Sequence, residues 1–377
     1  MAAPLHPPEI YWDWNATTPL APQVVQVMSA ARAGCWANPA SVHRAGRRAR
    51  KQLDDAREAL AALLEVSPRD VLLTGGGTEA NNLALAAAPG LVLSRLEHPS
   101  VVRVAERLES LGKPVVWLPV SRHGQVEVDA LDEQAAALPQ GSWLSCMLVN
   151  HETGVIQPLA ALAERAHRRG LLVHCDAVQA LGKVELSPLL QVDAVSLAAH
   201  KIRGPKAIGA LCLRSSAEGR VPLPVPVLLG GSQERGLRPG TQDAVLAAGF
   251  MAAVQRLPEL RSALGRVSRL RDALERAVSQ VAELVGAGAP RAPHVANLLF
   301  AGWRGDELVA ALDLEGICVS AGSACSAGTL EPSPVLQAML GDAAALGGVR
   351  FSLGEDASQA ELERVLAALG RLRILNA

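Results

Sequence analysis

Lysine is rare in this sequence, and one lysine lies where its amine could react. The chain has 36 basic residues, of which only five are lysines: Lys51, Lys113, Lys183, Lys201 and Lys206. Lys201 follows the apolar run SLAAH at the end of a predicted strand. A charged amine is unfavourable there unless it is paired or loses its proton. Because arginine supplies the generic positive charges, the pattern favours a Schiff-base lysine at 201 over a paired structural one.

A carboxylate and a glycine-rich turn accompany this amine. Asp176 ends the apolar run LLVHC, a position that usually faces a ligand crevice in α/β sheets; a helix N-cap is the alternative. In VLLTGGGTEANN a predicted strand meets three glycines and a helix start, where backbone N–H groups can hold a phosphate. An ordinary turn would also fit, as would the dinucleotide fingerprint Gly75-x-Gly77-x-x-Ala80 with Glu97 as the ribose acid.

The combination specifies pyridoxal phosphate better than a nicotinamide or flavin cofactor. Pyridoxal phosphate needs its phosphate held, its aldehyde bound by an amine and its ring nitrogen kept protonated by a carboxylate. An oxidoreductase would leave Asp176 and Lys201 without roles. The sequence therefore favours a pyridoxal phosphate enzyme.

A cysteine and an arginine near the C-terminus suggest the reaction. Cys325 lies among small residues in VSAGSACSAGTLEPS, a pattern that predicts an exposed loop, and an incidental loop cysteine is the alternative. Cys318, inside the predicted strand 317–319, is expected to be an inert core thiol. Arg350 in VRFSLG could bind a substrate carboxylate with two hydrogen bonds, or could form a surface ion pair.

The elements that must position these residues alternate along most of the chain. Apolar runs at 71–73, 91–93, 115–118, 143–149, 171–173, 192–197 and 208–213 are separated by helical patterns such as 43–64, 99–111 and 159–168. This order predicts a mainly parallel sheet covered on both faces. A proline-rich connector at 221–227 and a long helical region at 244–285 follow. Beyond them we predict strands at 296–300, 317–319 and 349–352, and helices at 306–312 and through 372.

These patterns divide the chain into two predicted domains. Residues 15–257 form a large α/β cofactor-binding domain. Residues 1–14 and 258–377 form a small α+β domain that carries the cysteine loop at about 320–334.

Composition limits the classes of protein that the chain can be. With 377 residues, 49% of them hydrophobic, it can bury a large core, and its net charge of −1 argues against nucleic acid or an anionic membrane as a partner. The sequence shows neither a signal peptide nor a membrane-length apolar run. Its six cysteines are scattered without a CxxC pair, so we expect reduced thiols, no metal site and a cytoplasmic location.

The chain resembles the cysteine desulfurases of the class V aminotransferase family, the NifS/IscS-like group with the long catalytic loop. The resemblance covers nearly the whole chain in order, through WDWNATTP (12–19), ANPAS (37–41), TGGGTEANN, LEHPS (96–100), VNHETGVIQP (149–158), HCDAVQ, AHKIRGPK, ERGLRPGT (234–241), GSACSAGTLEPS and VRFSLG. It implies a homodimeric fold-type I pyridoxal phosphate transferase. It also implies that L-cysteine is converted to L-alanine and an enzyme persulfide.

The resemblance implies a role for each matching residue. Lys201 would bind the cofactor covalently, Asp176 would pair with the ring nitrogen, and Gln179 would reach the ring hydroxyl. The residues implied to hold the phosphate are Gly77, Thr78, His200 and, from the partner subunit, Thr241. The remaining implied roles are ring stacking and proton transfer for His98, the substrate carboxylate for Asn38 and Arg350, and the nucleophile for Cys325.

The sequence departs from the family pattern at two site positions. His151 stands where relatives usually have an asparagine that touches the ring oxygen, and imidazole can still donate a hydrogen bond there. Ala198 replaces a serine that binds phosphate in some members.

The resemblance leaves the fate of the sulfur open, because the C-terminal extension that iron–sulfur scaffolds use in some relatives is not expected after residue 377. An iron–sulfur scaffold, a tRNA-thiolation enzyme or a molybdenum-cofactor maturation factor could be the acceptor. A selenocysteine lyase, a plain class V aminotransferase and a catalytically silent scaffold are the alternatives to a desulfurase. Intact Lys201, Asp176 and Cys325 argue against the scaffold.

Overall fold

The computed structural model describes residues 9–214, 221–222, 224–322 and 332–375. Its strands are β1 (Ile10–Tyr11), β2 (Val71–Thr74), β3 (Leu91–Ser94), β4 (Val115–Leu118), β5 (Trp143–Ser145), β6 (Leu172–Asp176), β7 (Ala194–Ala198), β8 (Gly209–Leu213), β9 (Ala282–Leu284), β10 (Val295–Phe300), β11 (Ile317–Cys318), β12 (Ser320–Ala321) and β13 (Gly348–Ser352). Its helices are α1 (Pro22–Gly34), α2 (Arg44–Leu64), α3 (Gly77–Leu85), α4 (Pro99–Ser110), α5 (Ala130–Gln134), α6 (Leu159–Arg168), α7 (Ala244–Gln255), α8 (Leu257–Val278), α9 (Gly305–Leu314), α10 (Pro334–Leu340) and α11 (Gln359–Arg371). Within these ranges, no helix combines the length and the apolar character that crossing a bilayer requires.

A seven-stranded sheet forms the centre of the large unit, in the order β2-β8-β7-β6-β5-β3-β4. Strands β3 to β7 are parallel, whereas β8 is antiparallel to both of its neighbours. Leu172 and Val173 point to opposite faces and belong to different apolar clusters, so both faces of the sheet are covered. The predicted α/β class with a mainly parallel sheet is confirmed.

The amphipathic pattern before the sheet forms α2. Leu53, Leu60 and Leu64 are buried along one side of this helix. His43 caps its first turn, since Nδ1 accepts a hydrogen bond from the backbone N–H of Gly46 at 3.2 Å.

The smaller unit has an antiparallel sheet in the order β12-β13-β10-β9. Strand β1 pairs in parallel with β11, with Ile10 opposite Ile317, and so ties the first described residues to this unit. Trp12 and Phe351 meet edge to face in its separate apolar core, with ring centroids 6.5 Å apart. The domain boundaries at 14/15 and 257/258 stay a prediction.

Several predicted elements are wrong in extent. The region 244–285 is two helices and a strand, because Pro258 in the first turn of α8 cannot continue α7 and the chain then enters β9. The run 143–149 is a strand only to Ser145, and the run 317–319 is divided at Val319 between two sheets. The predicted connector 221–227 includes residue 223, which lies outside the described residues.

Candidate active site

A cavity of about 290 Å³ gathers most of the predicted site residues. Those that line it are Gly77, Thr78, His98, His151, Asp176, Gln179, His200, Lys201 and Arg350. Its other lining residues are Asn15, Ala16, Asn81, Ser100, Met147, Val149, Val178 and Ala198. Residues distant in the sequence meet here because parallel strands end at one edge of the sheet.

Lys201 reaches the cavity from a short 3-10 turn, Ala199–Lys201, that directly follows β7. Its Nζ donates to the carbonyl oxygen of Ala16 at 2.8 Å and also to that of Asn15. Both acceptors belong to the segment after β1, so the amine is held by neutral carbonyl groups at the cavity wall.

Asp176 ends β6 and is 6% exposed. Its Oδ2 accepts from Nδ2 of Asn81 at 2.7 Å, and its Oδ1 accepts from the backbone N–H of Val178 at 3.0 Å. Turns rather than a helix follow Asp176, which disfavours the N-cap interpretation. The carboxylate is therefore anchored in the cavity wall.

Asn81 is a site residue that sequence reasoning missed. It lies on α3, is 1% exposed, and donates to Ser100 Oγ at 2.9 Å as well as to Asp176. The polar pair Asn81-Asn82 in the middle of this short helix was the available signal.

Two histidines of the cavity wall contact each other. The rings of His98 and His151 lie edge to face, with centroids 5.3 Å apart. Nδ1 of His98 accepts from the backbone N–H of Ser100 at 3.1 Å, which leaves Nε2 to carry the proton of the neutral ring. Burial lowers the pKa of His98, against the opposing effect of Asp176, and burial lowers the pKa of His151 strongly.

The N-terminus of α3 reaches the same cavity as these histidines. Gly76 has a φ of +150° in the turn from β2, a conformation that favours glycine. A Cβ on Gly77 would lie 2.7 Å from Cγ2 of Val178, so the helix start packs closely against the cavity wall. The first N–H groups of a helix lack partners within it, and Gly77 and Thr78 at this helix start line the cavity. Burial, followed by the charge of Lys201, lowers the pKa of His200 to about 4, so this imidazole is neutral.

Arg350 lies on β13 and is 1% exposed, so its ion pair is buried and not at the surface. Its Nη2 donates to Asp13 Oδ1 at 2.6 Å and its Nη1 to the carbonyl oxygen of His151 at 3.0 Å. Its Nε has no hydrogen-bond partner among the described residues. The guanidinium is thus fixed at the cavity edge by Asp13 and by the backbone of His151.

Two predicted site residues, Asn38 and Thr241, are not brought into this cavity. Asn38 is exposed in the loop before α2, where its Oδ1 accepts from the backbone N–H of Ala40 at 2.9 Å. Thr241 lines a separate cavity of the same chain with Thr74. Cys325 lies outside the described residues. The roles of all three stay predictions.

Two other expectations need correction. Cys318 is only half-buried, in the strand β11 that pairs with β1. Its Sγ donates to Oε1 of Glu9 at 2.7 Å. Burial and the nearby Glu9 carboxylate raise the pKa of this thiol to about 12, so it is still unreactive. Glu97, the ribose acid of the dinucleotide alternative, is buried away from the cavity, where its Oε1 accepts from the backbone N–H of Met147 at 2.8 Å.

Known proteins match the chain along almost its full length. The family Aminotransferase class-V matches residues 10–365. A cysteine desulfurase of Trichormus azollae is 36% identical over 384 residues, covering 97% of this chain and 94% of the relative. The solved structure of a NifS-like protein aligns with a TM-score of 0.86 at 30% identity, covering 97% of this chain and all of that one. A structure of SspA in complex with cysteine aligns with a TM-score of 0.79 at 28% identity, covering 92% of this chain and 99% of that one.

Proposed function

This chain belongs to the class V aminotransferase family and is a cysteine desulfurase, and on that premise we propose that its cavity binds pyridoxal phosphate and L-cysteine. The products are L-alanine and a persulfide on the enzyme. The observation that carries the proposal is the meeting of a lysine amine, an anchored carboxylate and a helix N-terminus in one cavity. The neighbour solved with cysteine supports the choice of substrate.

The residues present fit pyridoxal phosphate. Both ring nitrogens of His151 are buried without a hydrogen-bond partner in the described part of the chain, with only Oε1 of Glu152 at 3.7 Å from Nε2, as expected for groups that a ligand satisfies. Lys201 would bind the aldehyde carbon, Asp176 the ring nitrogen and Gln179 the ring hydroxyl. Gly77, Thr78 and His200 would hold the phosphate. When bound, the cofactor supplies an electron sink for the substrate carbons.

The chain's own groups orient the substrate and move its protons. Asn81 and Val178 hold the Asp176 carboxylate in place through their hydrogen bonds. His98 is neutral, accepts at Nδ1, and can give or take a proton at Nε2. The Arg350 guanidinium, held in place by Asp13, would bind the substrate carboxylate.

Cys325 is the proposed nucleophile. Its thiolate attacks the sulfur of L-cysteine, and the new sulfur–sulfur bond forms as the carbon–sulfur bond breaks. The electron pair of the broken bond stays with the substrate carbon, which takes up a proton and becomes the methyl group of alanine. The enzyme keeps the sulfur as a persulfide.

Mass spectrometry of the protein after incubation with L-cysteine tests this assignment. We expect alanine in solution and one added sulfur on the peptide that contains Cys325. Cys325→Ser should abolish both, whereas Cys318→Ser, a matched control with an unreactive thiol, should keep both. Turnover confined to selenocysteine would favour the lyase alternative, and amino transfer to a keto acid would favour the aminotransferase.

We also propose that the enzyme is a homodimer in which Thr241 contributes to the partner's phosphate site. Trp36, Val42 and Leu229 are 76%, 87% and 91% exposed, and large exposed apolar side chains are typical of an interaction surface. The segment before Thr241 contains Glu234 and Arg235 with φ of +48° and +61°, a strained backbone of the kind found at functional sites. Analytical sedimentation showing an active monomer would overturn this proposal.

The persulfide sulfur passes, in our proposal, to an acceptor protein: an iron–sulfur scaffold, a tRNA-thiolation enzyme or a molybdenum-cofactor maturation factor. A persulfide-forming cysteine must be a free thiol at the start of each cycle. Free thiols are kept in that state in the cytoplasm, which supports a cytoplasmic location. Transfer of labelled sulfur from the persulfide to each purified candidate identifies the acceptor.

A further inference from the structure

Lys183 is a buried lysine without a role in the chemistry described so far. It lies in the turns after β6 and is 4% exposed, in a chain that otherwise uses arginine for nearly all of its positive charges. Burial, followed by the charges of Lys201 and Arg350, lowers its pKa well below the ordinary value. An amine at such a position is costly, and its contacts indicate what it does there.

The contacts of Lys183 lead into the cavity. Its Nζ donates to Oε1 of Gln179 at 2.9 Å. Nε2 of Gln179 donates in turn to the carbonyl oxygen of Asn15 at 2.9 Å. The same carbonyl accepts from Nζ of Lys201, so one line of hydrogen bonds joins the two lysines through Gln179.

These two partners leave the Gln179 amide one orientation. The backbone carbonyl of Asn15 only accepts, and the Lys183 nitrogen, charged or neutral, presents N–H donors to the amide oxygen. Reversing the amide would place N–H groups against the lysine and oxygen against oxygen at Asn15. Because Gln179 is 5% exposed, water could not compensate for either mismatch.

We propose that Lys183 is a positioning residue that fixes the Gln179 amide so that an N–H group, rather than the amide oxygen, is available to the ring oxygen of the bound cofactor. The inference rests on the proposed function, because it requires pyridoxal phosphate in the cavity. An N–H donor stabilises a negatively charged ring oxygen, and it thereby weakens the hold of the adjacent lysine–cofactor linkage on its proton.

Other charged groups around Lys183 remain in place when it is replaced. Lys201 and Arg350 contribute positive charge to its surroundings. The neighbouring imidazoles are His294 and His200, whose pKa values the charge of Lys183 helps to lower. Losing the positive charge of Lys183 and losing the oriented N–H both strengthen proton binding at the cofactor linkage. The expected direction of the effect is therefore the same whether Lys183 is charged or neutral.

A pH titration of the visible absorption band of the cofactor-loaded protein tests the proposal. In Lys183→Met we expect the apparent pKa of the band to rise by about one unit. Lys183→Arg, which keeps the donors, should return it toward the wild-type value. Lys113→Met is the matched control, since Lys113 also donates to a single oxygen, that of Ala88 at 2.9 Å, but away from the cavity; it should leave the titration unchanged.

A second background separates positioning from a direct effect of charge. In Gln179→Leu, the further change Lys183→Met should shift the band much less than it does alone. An equal shift in both backgrounds, or an unchanged titration in Lys183→Met, would overturn the proposal. If Lys183→Met does not fold, Lys183→Leu, whose shorter side chain also lacks a donor, is titrated instead. A wild-type protein that takes up no cofactor would reject the proposed function itself.

Discussion

Nδ2 of Asn81 lies 2.7 Å from Oδ2 of Asp176. The same nitrogen donates to Ser100 Oγ at 2.9 Å, and that hydroxyl lies 2.7 Å from Nδ1 of His98. A line of hydrogen bonds therefore joins the carboxylate proposed for the ring nitrogen to the imidazole proposed for proton transfer. Because Asn81 is almost fully buried, water cannot take its place.

Asn81→Leu keeps the side-chain size and removes the donor. Loss of a hydrogen bond to a charged carboxylate should lower kcat/KM about tenfold or more, while cofactor still binds. Asn82→Leu is the control on the same helix, since Asn82 donates to the carbonyl oxygen of Thr78 at 2.9 Å and not to Asp176. Steady-state alanine production measures the effect, and equal rates in the two variants would contradict it.

Lys201→Ala removes the amine that is proposed to bind the cofactor covalently. The purified variant should lose the yellow colour that resists gel filtration, and its turnover should fall below detection. Lys206→Ala, which changes an exposed lysine in the next turn, should keep both. Absorption spectra before and after desalting decide the matter, and a fully active Lys201→Ala protein would refute the assignment.

Ser333→Ala should destabilise the fold more than a helix cap alone would. Ser333 Oγ caps α10 by accepting from the N–H of Leu336 at 3.0 Å, and it donates to the fully buried Glu152 carboxyl at 2.6 Å. We expect a loss of about 2–3 kcal/mol in the free energy of unfolding, because a buried acceptor loses its donor.

Ser358→Ala is the reference for this comparison, since Ser358 caps α11 without contacting a buried carboxyl. Its loss should be about 1 kcal/mol. Urea unfolding of both variants gives the difference, and equal losses would show that the Glu152 contact does not stabilise the fold.

Acid should destabilise the protein through His174. This imidazole is fully buried between Ser145 Oγ and Ser196 Oγ, each 2.9 Å from a ring nitrogen, and burial lowers its pKa from 6.5 to about 4. The unfolded state therefore binds the proton more readily, and stability falls as the pH falls from 6.5 toward 4. Between pH 7 and pH 5 this one group should account for about 2 kcal/mol.

His174→Asn tests that share of the acid sensitivity. The variant should lose about 2 kcal/mol less than the wild type when the pH is lowered from 7 to 5. His123→Asn, at an exposed position, serves as the control and should follow the wild type. Identical pH profiles for the wild type and His174→Asn would contradict the prediction.

Local pattern was enough to place the reactive groups at strand ends. Asp176 and Lys201 follow apolar runs, and runs of that kind fold into adjacent parallel strands whose carboxyl ends meet. The ends of the elements were harder to predict. The almost wholly apolar α7 and the amphipathic α8 both have helical patterns that suggest one helical region, although Pro258 separates them.

Contacts between residues that are distant along the chain could not be predicted from the sequence. The ion pair of Arg350 with Asp13 joins positions 337 apart, and neither periodicity nor composition carries information about such a partner. The roles of Asn81 and Lys183 depend likewise on which neighbour each side chain meets after the sheet has formed. Hydrophobic pattern reports burial, whereas hydrogen-bond partners are set by the tertiary fold.

The pairing of the N-terminal segment with C-terminal residues determines when, relative to translation, the site can form. Ile10 pairs with Ile317, Asp13 with Arg350, and the N–H of Asn15 with Ser352 Oγ at 3.0 Å. In each pair, the ribosome makes the N-terminal residue at the very start of translation and its partner only near the end. The carbonyl groups that hold Lys201 and Gln179 therefore reach their final positions only after almost the whole polypeptide has emerged, and cofactor uptake should be a post-translational event.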